Sequence, residues 1–498
     1  MRVLIRADAS LAIGSGHVVR CLTLANALRD QGAVVSFASR ELPGNALARI
    51  ADAGFAVLVL PASYPGDRAG NIESLIDWQA DLAALQTQLA GQPPFDWLLV
   101  DHYGLDAQWQ RSARAFAQRI AVIDDLANRP HDADLLIDQN LTATADAYAP
   151  LIPASCQTLL GPRYALLRPE FRVPAPTIRA KADRVVVNFG GVDAGGETFK
   201  AMEALAGLPI HADIVAGSAN PAWDALQAKA QGQANWTLHR HVADFAALMQ
   251  QADVFIGAGG TTSWERAALG VPTLCIAVAD NQEPNAQALH AAGIHQYLGR
   301  DRHVTASQLG KAISDLLADA PRRQSYADKS RALVDAKGTQ RVAAAMLHAC
   351  LTLRPATLDD AQRLFDGRNA ENVRRWSINS EPISWDAHID WLTRTLANPD
   401  RQLWIAESAN GPVGVLRYDR NADLPDRAEV SIYLFAGREG VGWGGALLQA
   451  GDAAIARLWP ALRAIDATVL PDNTASLKLF VQAGYREHNG HFERVLPQ

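Results

Sequence analysis

Arg2-Val-Leu-Ile-Arg-Ala-Asp-Ala-Ser-Leu-Ala-Ile-Gly-Ser-Gly-His17 is the stretch on which the fold turns. A short aliphatic run, Val3–Ile5, ends in polar residues and a Gly-Ser-Gly turn, and the helical segment Val18–Arg29 follows at once. Strand, glycine turn and helix in that order predict the first βα unit of a doubly wound parallel sheet. The alternation continues. Val34–Ala38, Val57–Leu60, Trp97–Val100, Ala121–Ile123 and Leu135–Ile137 read as buried strands, short, aliphatic and bounded by Gly, Pro or Asp. Asp106–Ala117 is a further helical segment.

The pattern restarts after a proline-rich stretch, Arg168 to Thr177, that contains Pro169, Pro174 and Pro176. Prolines so closely spaced disfavour both helix and central strand, so residues 168–182 are predicted to be a linker. New strands follow at Val185–Phe189, Asp213–Ala216, Val254–Gly257 and Thr273–Ala277. The reading is therefore an α/β pair of lobes, residues 1–167 and 183–348, with a cleft between them where strand ends meet. A third unit, residues 352–498, opens with a strand and a helix capped by Thr357. It has a β-rich middle at Leu403–Ser408, Val413–Tyr418 and Ala428–Phe435, then a helix Ala446–Arg457 and a strand Ile465–Val469. That is an α+β domain.

Composition narrows the function. The 498 residues carry a formal charge of -7, with 49% hydrophobic and 20% charged residues. Such a balance fits packed globular domains and argues against a general nucleic-acid binder. The four cysteines, Cys21, Cys156, Cys275 and Cys350, are widely separated and form no C-x-x-C pair, so neither a zinc site nor a disulfide framework is expected. No apolar run is long enough to span a bilayer, and the opening residues lack a signal-peptide pattern, which predicts a cytoplasmic protein without a membrane partner.

Four constellations in the first two lobes sit where strands end. Gly14-Ser15-Gly16-His17 combines glycines that admit a ligand to the backbone, a helix N-terminus that favours an anion, and an imidazole suited to general base work. Gly190-Gly191 follows the strand Val185–Phe189. Gly257-Ala-Gly-Gly-Thr261-Thr262-Ser-Trp-Glu265 offers glycines and hydroxyls to a diphosphate and a carboxylate to the two hydroxyls of a ribose. Asp280-Asn-Gln282-Glu-Pro-Asn285 adds polar groups after the next strand. Each has a plain structural alternative: a glycine turn, a capping hydroxyl, a solvated carboxylate.

Taken in order, these sites resemble nucleotide-sugar enzymes of the GT-B type. The second lobe resembles the lipid-linked N-acetylglucosaminyl transferases of peptidoglycan synthesis. The resemblance extends further to the UDP-sugar hydrolases of pseudaminic acid biosynthesis, those acting on UDP-2,4-diacetamido-2,4,6-trideoxy-β-L-altropyranose. It rests on Arg6-Ala-Asp8, Ile13-Gly-Ser-Gly-His17, Asp101-His102-Tyr103-Gly104, Ile123-Asp-Asp125 and Gly161-Pro-Arg-Tyr-Ala-Leu-Leu-Arg-Pro-Glu-Phe171. The resemblance implies that His17 activates a water that displaces UDP with inversion and without a metal. It also implies that Ser15 and Gly16 lie near the phosphates and that Asp101 and Tyr103 line the sugar side. His102, which also follows a strand, is the competing base.

In the third unit, Glu429-Val-Ser-Ile-Tyr433-Leu-Phe435 alternates apolar and polar faces. Gly440-Val-Gly442-Trp-Gly444-Gly445 then opens a helix, and glycines there let N–H groups wrap a pyrophosphate. Asn473-Thr-Ala-Ser476 begins a later helix that contains Phe480. Together these resemble GNAT-type N-acetyltransferases, which implies acetyl-CoA as cosubstrate. Glu439 departs from the Arg or Gln usual in that loop, and Phe480 from a frequent Tyr. Arg368, Asn369, His388 and Trp391 resemble a subset that acetylates UDP-linked amino sugars, with Glu429 as candidate base and Tyr433 as candidate acid. Glu429 also reads as a solvated strand residue, and His388 with Trp385 as packing. The whole is expected to be a bifunctional enzyme. Its rivals are a GT-B glycosyltransferase using a UDP-sugar donor and a UDP-sugar-sensing module that regulates the acetyltransferase.

Overall fold

The computed structural model describes residues 1–64, 76–174, 177–193, 195–217, 220–440, 442–488 and 491–496. Pro176 of the expected linker and Val441 of the third unit's glycine loop lie outside the described residues. The chain divides into two compact units, residues 2–343 and 344–498.

The first unit holds two parallel sheets. In the first, β1 (Arg2–Ala7), β2 (Val34–Arg40), β3 (Ala56–Leu60), β4 (Phe95–Asp101), β5 (Ala117–Ile123), β6 (Leu135–Asp138) and β7 (Gln157–Leu160) run in the order 3-2-1-4-5-6-7. In the second, β8 (Arg184–Asn188), β9 (His211–Val215), β10 (Trp236–His239), β11 (Val254–Ala258), β12 (Thr273–Ala277) and β13 (Gln296–Arg300) run 10-9-8-11-12-13. Central strands such as Val3–Ile5 and Leu98–Val100 are wholly buried because helices cover both faces, and hence read as continuous aliphatic runs. Strand order reverses between β1 and β4 and between β8 and β11, and ligands of such sheets bind at those points. All four sequence constellations fall at the carboxyl ends of β1, β8, β11 and β12.

β7, β10 and β13, edge strands of mixed polar and apolar sequence, were not read from the sequence. One expectation is corrected. The connector is no free spacer over its first part. Phe171 is buried in the core of the second lobe, as are Ala165 and Leu167, which the sequence reading assigns to the first lobe, and Thr339 Oγ1 donates to the Leu167 carbonyl at 2.8 Å.

The second unit is a seven-stranded sheet in the order 14-15-16-17-18-20-19. Its strands are β14 (Thr352–Pro355), β15 (Arg401–Ser408), β16 (Gly411–Arg420), β17 (Arg427–Leu434), β18 (Ala464–Thr468), β19 (Arg486–His488) and β20 (His491–Val495). All neighbours are antiparallel except β17 and β18. That parallel ladder joins Arg427–Glu429 to Ala464–Asp466 and stops there, so Ser431–Leu434 have no partner on the β18 side. The helices Trp443–Leu458 and Thr474–Gln482 follow the two strands that part.

Candidate functional site

In the first unit, His17 and Asp101 meet from the ends of β1 and β4. The helix Gly16–Asp30 starts immediately after the glycine turn, with Gly14 at φ 77°, in the left-handed region that glycine tolerates. Ser15 takes the N-cap place, but its side chain makes no capping bond and is exposed, so the first N–H groups of the helix face outward. His17 Nδ1 lies 2.8 Å from Asp101 Oδ1. A proton there, donated to the carboxylate, makes Nε2 the basic nitrogen. Arg20, one helical turn on, grips the same carboxylate through Nε at 2.7 Å and Nη2 at 2.6 Å. Burial opposes the charge on Asp101, but Arg20 and His17 outweigh it and hold its carboxyl well below the usual range. Arg20 also reaches Asp125 at 3.1 Å, and Tyr103 donates to Asp125 at 2.6 Å while its ring meets the His17 ring edge-on at 4.8 Å. Burial, with Asp125 beside it, pushes the Tyr103 hydroxyl far above its usual value, so it stays a donor.

His102 is placed otherwise. It is buried, its Nδ1 accepts from the Gly104 N–H at 3.0 Å, and its Nε2 faces Asp8 at 3.4 Å. Both nitrogens are engaged inside the lobe, which leaves His17 the better placed of the two to act as a base. Beneath it Arg6 lies fully buried between Asp8 and Asp81, each 2.6 Å away, and Tyr64 and Trp109 donate to Asp81. Arg6-Ala-Asp8 thus stiffens the end of β1.

Across the cleft stands the second lobe. A Cβ on Gly16 would lie 3.6 Å from Thr261 Oγ1, so the N-termini of the helices Gly16–Asp30 and Thr262–Leu269 confront each other. Two helix N-termini and a glycine loop together offer N–H groups and positive dipole ends of the kind that suit an anion. Gly190, at φ 97°, and Gly191 lie at the end of β8 with open space where their side chains would be. Glu265 is buried enough that its carboxyl is pushed up to about 7, against the pull of Arg168 and Arg266. Gln282 Oε1 accepts from the N–H groups of Gly259 and Val278 and so shapes the glycine loop. Asn285, buried, accepts from the Leu141 N–H at 3.0 Å and ties the lobes together, so its carbonyl is engaged before any sugar arrives.

In the second unit the glycines divide into two groups. Gly440 and Gly442 hold positive φ, 81° and 82°, at the start of the helix Trp443–Leu458, and the His348 ring packs on Gly442 and on Trp443. Gly444 and Gly445 instead lie against Leu479 of the helix Thr474–Gln482, with 3.0 Å from a Cβ on Gly444 to Leu479 Cδ2. They let the two helices approach. Glu439 is turned back on the loop, accepting from Gly437 N–H at 2.9 Å and Asn372 at 2.6 Å. Asn473 caps the second helix by accepting from Ser476 N–H at 3.1 Å, and Phe480 is buried on Tyr485 and Phe492.

The acceptor side differs from expectation. Arg368 donates to the Asn379 carbonyl and Asn369 bonds both backbone groups of Ile383, so both hold the 377–383 segment in place. His388 is 1% exposed, donates from Nε2 to the Ala361 carbonyl, and packs among Phe365, Trp385 and Trp391. It is a packing residue. Glu429 is exposed at the last rung of the β17–β18 ladder and accepts from Thr468 Oγ1 at 2.9 Å. Tyr433 directs its hydroxyl at the Leu364 carbonyl, and burial raises it well above the usual value, which weakens it as an acid. The two share a strand face roughly 13 Å apart, too far to act directly on one reacting carbon.

The comparisons with known proteins divide along the same line. Residues 213–344 match the glycosyltransferase family 28 C-terminal domain, and residues 351–486 the acetyltransferase (GNAT) domain. The chain is 29% identical over 294 residues to the UDP-2,4-diacetamido-2,4,6-trideoxy-β-L-altropyranose hydrolase of Campylobacter jejuni, an alignment spanning 59% of this chain and 97% of the relative. It is 31% identical over 190 residues to the spore coat polysaccharide biosynthesis protein SpsG of Bacillus subtilis, spanning 37% of this chain and 56% of that protein. The N-terminal region resembles a UDP-sugar hydrolase, and the C-terminal region a GNAT acetyltransferase. Among solved structures, MurG of Acinetobacter baumannii superposes with a TM-score of 0.49 at 19% identity, covering 69% of this chain and 99% of that one. A spermidine N-acetyltransferase from Vibrio cholerae, in complex with CoA and spermine, does so with 0.27 at 19% identity, covering 30% and 96%.

Sequence reasoning missed three groups in the hydrolase-like region. Arg20 had a visible signal, since it lies one turn from His17 on the same helix face. Asp81 had none, because it reaches Arg6 from a distant helix. Arg168 stood inside a quoted motif without a role. Among the described residues no cluster of three or more His, Cys, Asp or Glu could hold a metal ion, and no helix is long and apolar enough to cross a membrane.

Proposed function

We propose that this is a bifunctional enzyme of UDP-amino-sugar metabolism, in the chemistry that leads to pseudaminic acid. The acetyltransferase-like domain transfers acetyl from acetyl-CoA to the 4-amino group of a UDP-linked 4-amino-6-deoxy sugar. The hydrolase-like region then cleaves the diacetamido product to free sugar and UDP. The observation that carries the reading is the meeting of Gly16 and Thr261 across the cleft, one residue from His17 and its partner Asp101, which supports a diphosphate bound there within reach of the pair.

In the hydrolytic step, His17 Nε2 takes a proton from a water as its oxygen bonds to the anomeric carbon. The bond from that carbon to the β-phosphate oxygen breaks, and its electron pair leaves with UDP, inverting the centre. UDP is already a good leaving group, so a base and anion stabilisation suffice. Ser15, Gly16, Thr261 and Thr262 face the phosphates, Gly190 and Gly191 admit the nucleotide closely, and Tyr103 with Asp125 lies on the sugar side. In the second unit, the amino group becomes nucleophilic when its proton passes to Glu429 through water. Gly440 and Gly442 present the helix start to the pyrophosphate of acetyl-CoA, and Ser431–Leu434 offer unpaired peptide groups to its amide-bearing arm.

The deciding experiment incubates the full chain with the UDP-amino sugar, with and without acetyl-CoA, and follows UDP and the sugar by NMR. Free diacetamido sugar with one UDP per acetyl consumed supports the reading. UDP release only on adding a second sugar acceptor indicates a glycosyltransferase, and binding without turnover indicates a sensor.

Two variants test the two grips. Gly442→Val meets both a positive φ and the His348 ring, 3.1 Å from the position of a Cβ. Acetyl transfer is expected to collapse while UDP release from pre-acetylated sugar persists; an unchanged acetyl-CoA affinity sinks the pyrophosphate assignment. Glu265→Ala removes a charged hydrogen-bond partner, so UDP affinity is expected to drop roughly 10- to 150-fold. Calorimetry showing equal UDP binding removes Glu265 from the site.

A further inference from the structure

The carboxylate assigned to the ribose has a partner outside both glycine loops. Arg168 lies in the connector between the two sheets, where its Nη1 is 2.9 Å from Glu170 Oε1 and its Nη2 is 3.7 Å from Glu265 Oε1. Its guanidinium sits over the Phe171 ring at 5.2 Å, and Phe171 is itself buried in the second lobe's core. The turn Pro169–Phe171 packs on the helix Thr262–Leu269 that carries Glu265. The buried Phe171 ring supports one face of a guanidinium whose side chain is 35% exposed. Its buried Nε has no hydrogen-bond partner among the described residues.

A carboxyl that accepts from both hydroxyls of a ribose does so best as a carboxylate, with all its lone pairs available. Burial at this position works toward the neutral acid, and Glu170 adds to that, while Arg168 and Arg266 oppose it. Arg266 is turned away, its Nη2 donating to the Ala258 carbonyl at 2.8 Å and to Ser263 Oγ at 2.7 Å. Arg168 is therefore the cation paired with the Glu265 oxygens.

We propose that Arg168 is the positioning residue for Glu265: it presents that side chain to the ribose as an aimed carboxylate and so sets the preference for a ribonucleotide over its 2′-deoxy analogue. The proposal rests on the reading of Glu265 as the ribose contact. It also gives the connector a task in ligand binding beyond joining the lobes.

The test is calorimetric titration of the full chain with UDP and with 2′-deoxy-UDP between about pH 6 and about pH 8, around the range where a buried glutamate titrates. Taking the ratio of the two affinities cancels the ionisation of the phosphates, which both ligands share. The wild type is expected to favour UDP by on the order of 10-fold, and increasingly so as pH rises, because the carboxylate form grips the diol. Arg168→Met should lower that preference and displace its midpoint to higher pH, since the opposing cation is gone; Arg168→Lys should restore part of both. Scanning calorimetry checks that each variant is folded, and where the methionine variant is not, the lysine variant carries the same comparison with a smaller displacement. A wild type that does not distinguish the ligands, matched by Glu265→Gln, overturns the ribose reading itself. A wild type that does distinguish them, with variants of Arg168 showing an identical ratio and midpoint, overturns the role of Arg168 alone.

Discussion

His17→Ala is expected to lower UDP release by roughly 100- to 10,000-fold, the span typical of a general base. The direction follows from geometry: Asp101 accepts a hydrogen bond from Nδ1–H at 2.8 Å, so the imidazole presents its other nitrogen as acceptor. Because the base works only when neutral, the wild-type rate should drop on the acid side of its profile, and the residual rate of the variant should lack that limb. UDP affinity should change little, since the grip proposed for the diphosphate uses backbone N–H groups and the opposite lobe. Acetyl transfer by the second unit should be untouched. A folded His17→Ala protein that releases UDP at near the wild-type rate would falsify the mechanism.

The second large effect belongs to Asp101. Its carboxylate is fully buried and serves His17 and Arg20 at once. Asp101→Ala strands the Arg20 guanidinium, also buried, with Asp125 as its remaining carboxylate, and losing one partner of a buried pair costs about 3–5 kcal/mol. Urea unfolding of that variant should show the loss directly. Asp101→Asn keeps the volume and separates stability from chemistry: it should be folded, yet slower by on the order of 100-fold or more, because an amide does not stabilise the imidazolium that forms. The acid dependence has a definite sign. A carboxyl held below its unfolded value stabilises the fold above the ordinary carboxylate range, and that stabilisation is lost as pH falls through and below it. The asparagine variant should therefore lose less stability between neutral pH and about pH 3 than the wild type does. Equal acid slopes for the two proteins would show that Asp101 is not the group responsible.

Much of the fold was legible because the central strands, buried on both faces, are written as uninterrupted aliphatic runs, whereas β7, β10 and β13 are edge strands with mixed side chains. The connector misled for a related reason: proline density argued against α-helix and strand, but Phe171, between Pro169 and Pro174, is a core residue. The glycines at the strand ends were readable, and the structure places them after β1, β8 and β11 as the sequence suggested. Arg6–Asp81 and Arg168–Glu265 were not, because each pair closes over a long sequence separation that no local pattern encodes. On the acceptor side of the acetyltransferase-like domain, Arg368, Asn369 and His388 were read as candidate ligand contacts, His388 equally as packing, and the structure gives each a hydrogen bond to nearby backbone.

The parting of β17 from β18 after Glu429 and Asp466 has an evolutionary consequence. A slot lined by main chain recognises amides with groups that every residue except proline possesses. Side chains along Ser431–Leu434 can then change without removing those groups, within the packing that holds Tyr433 against Phe435. Such a surface offers selection almost nothing to break one letter at a time, and a domain built on it can change its amine substrate while its acyl donor stays constant.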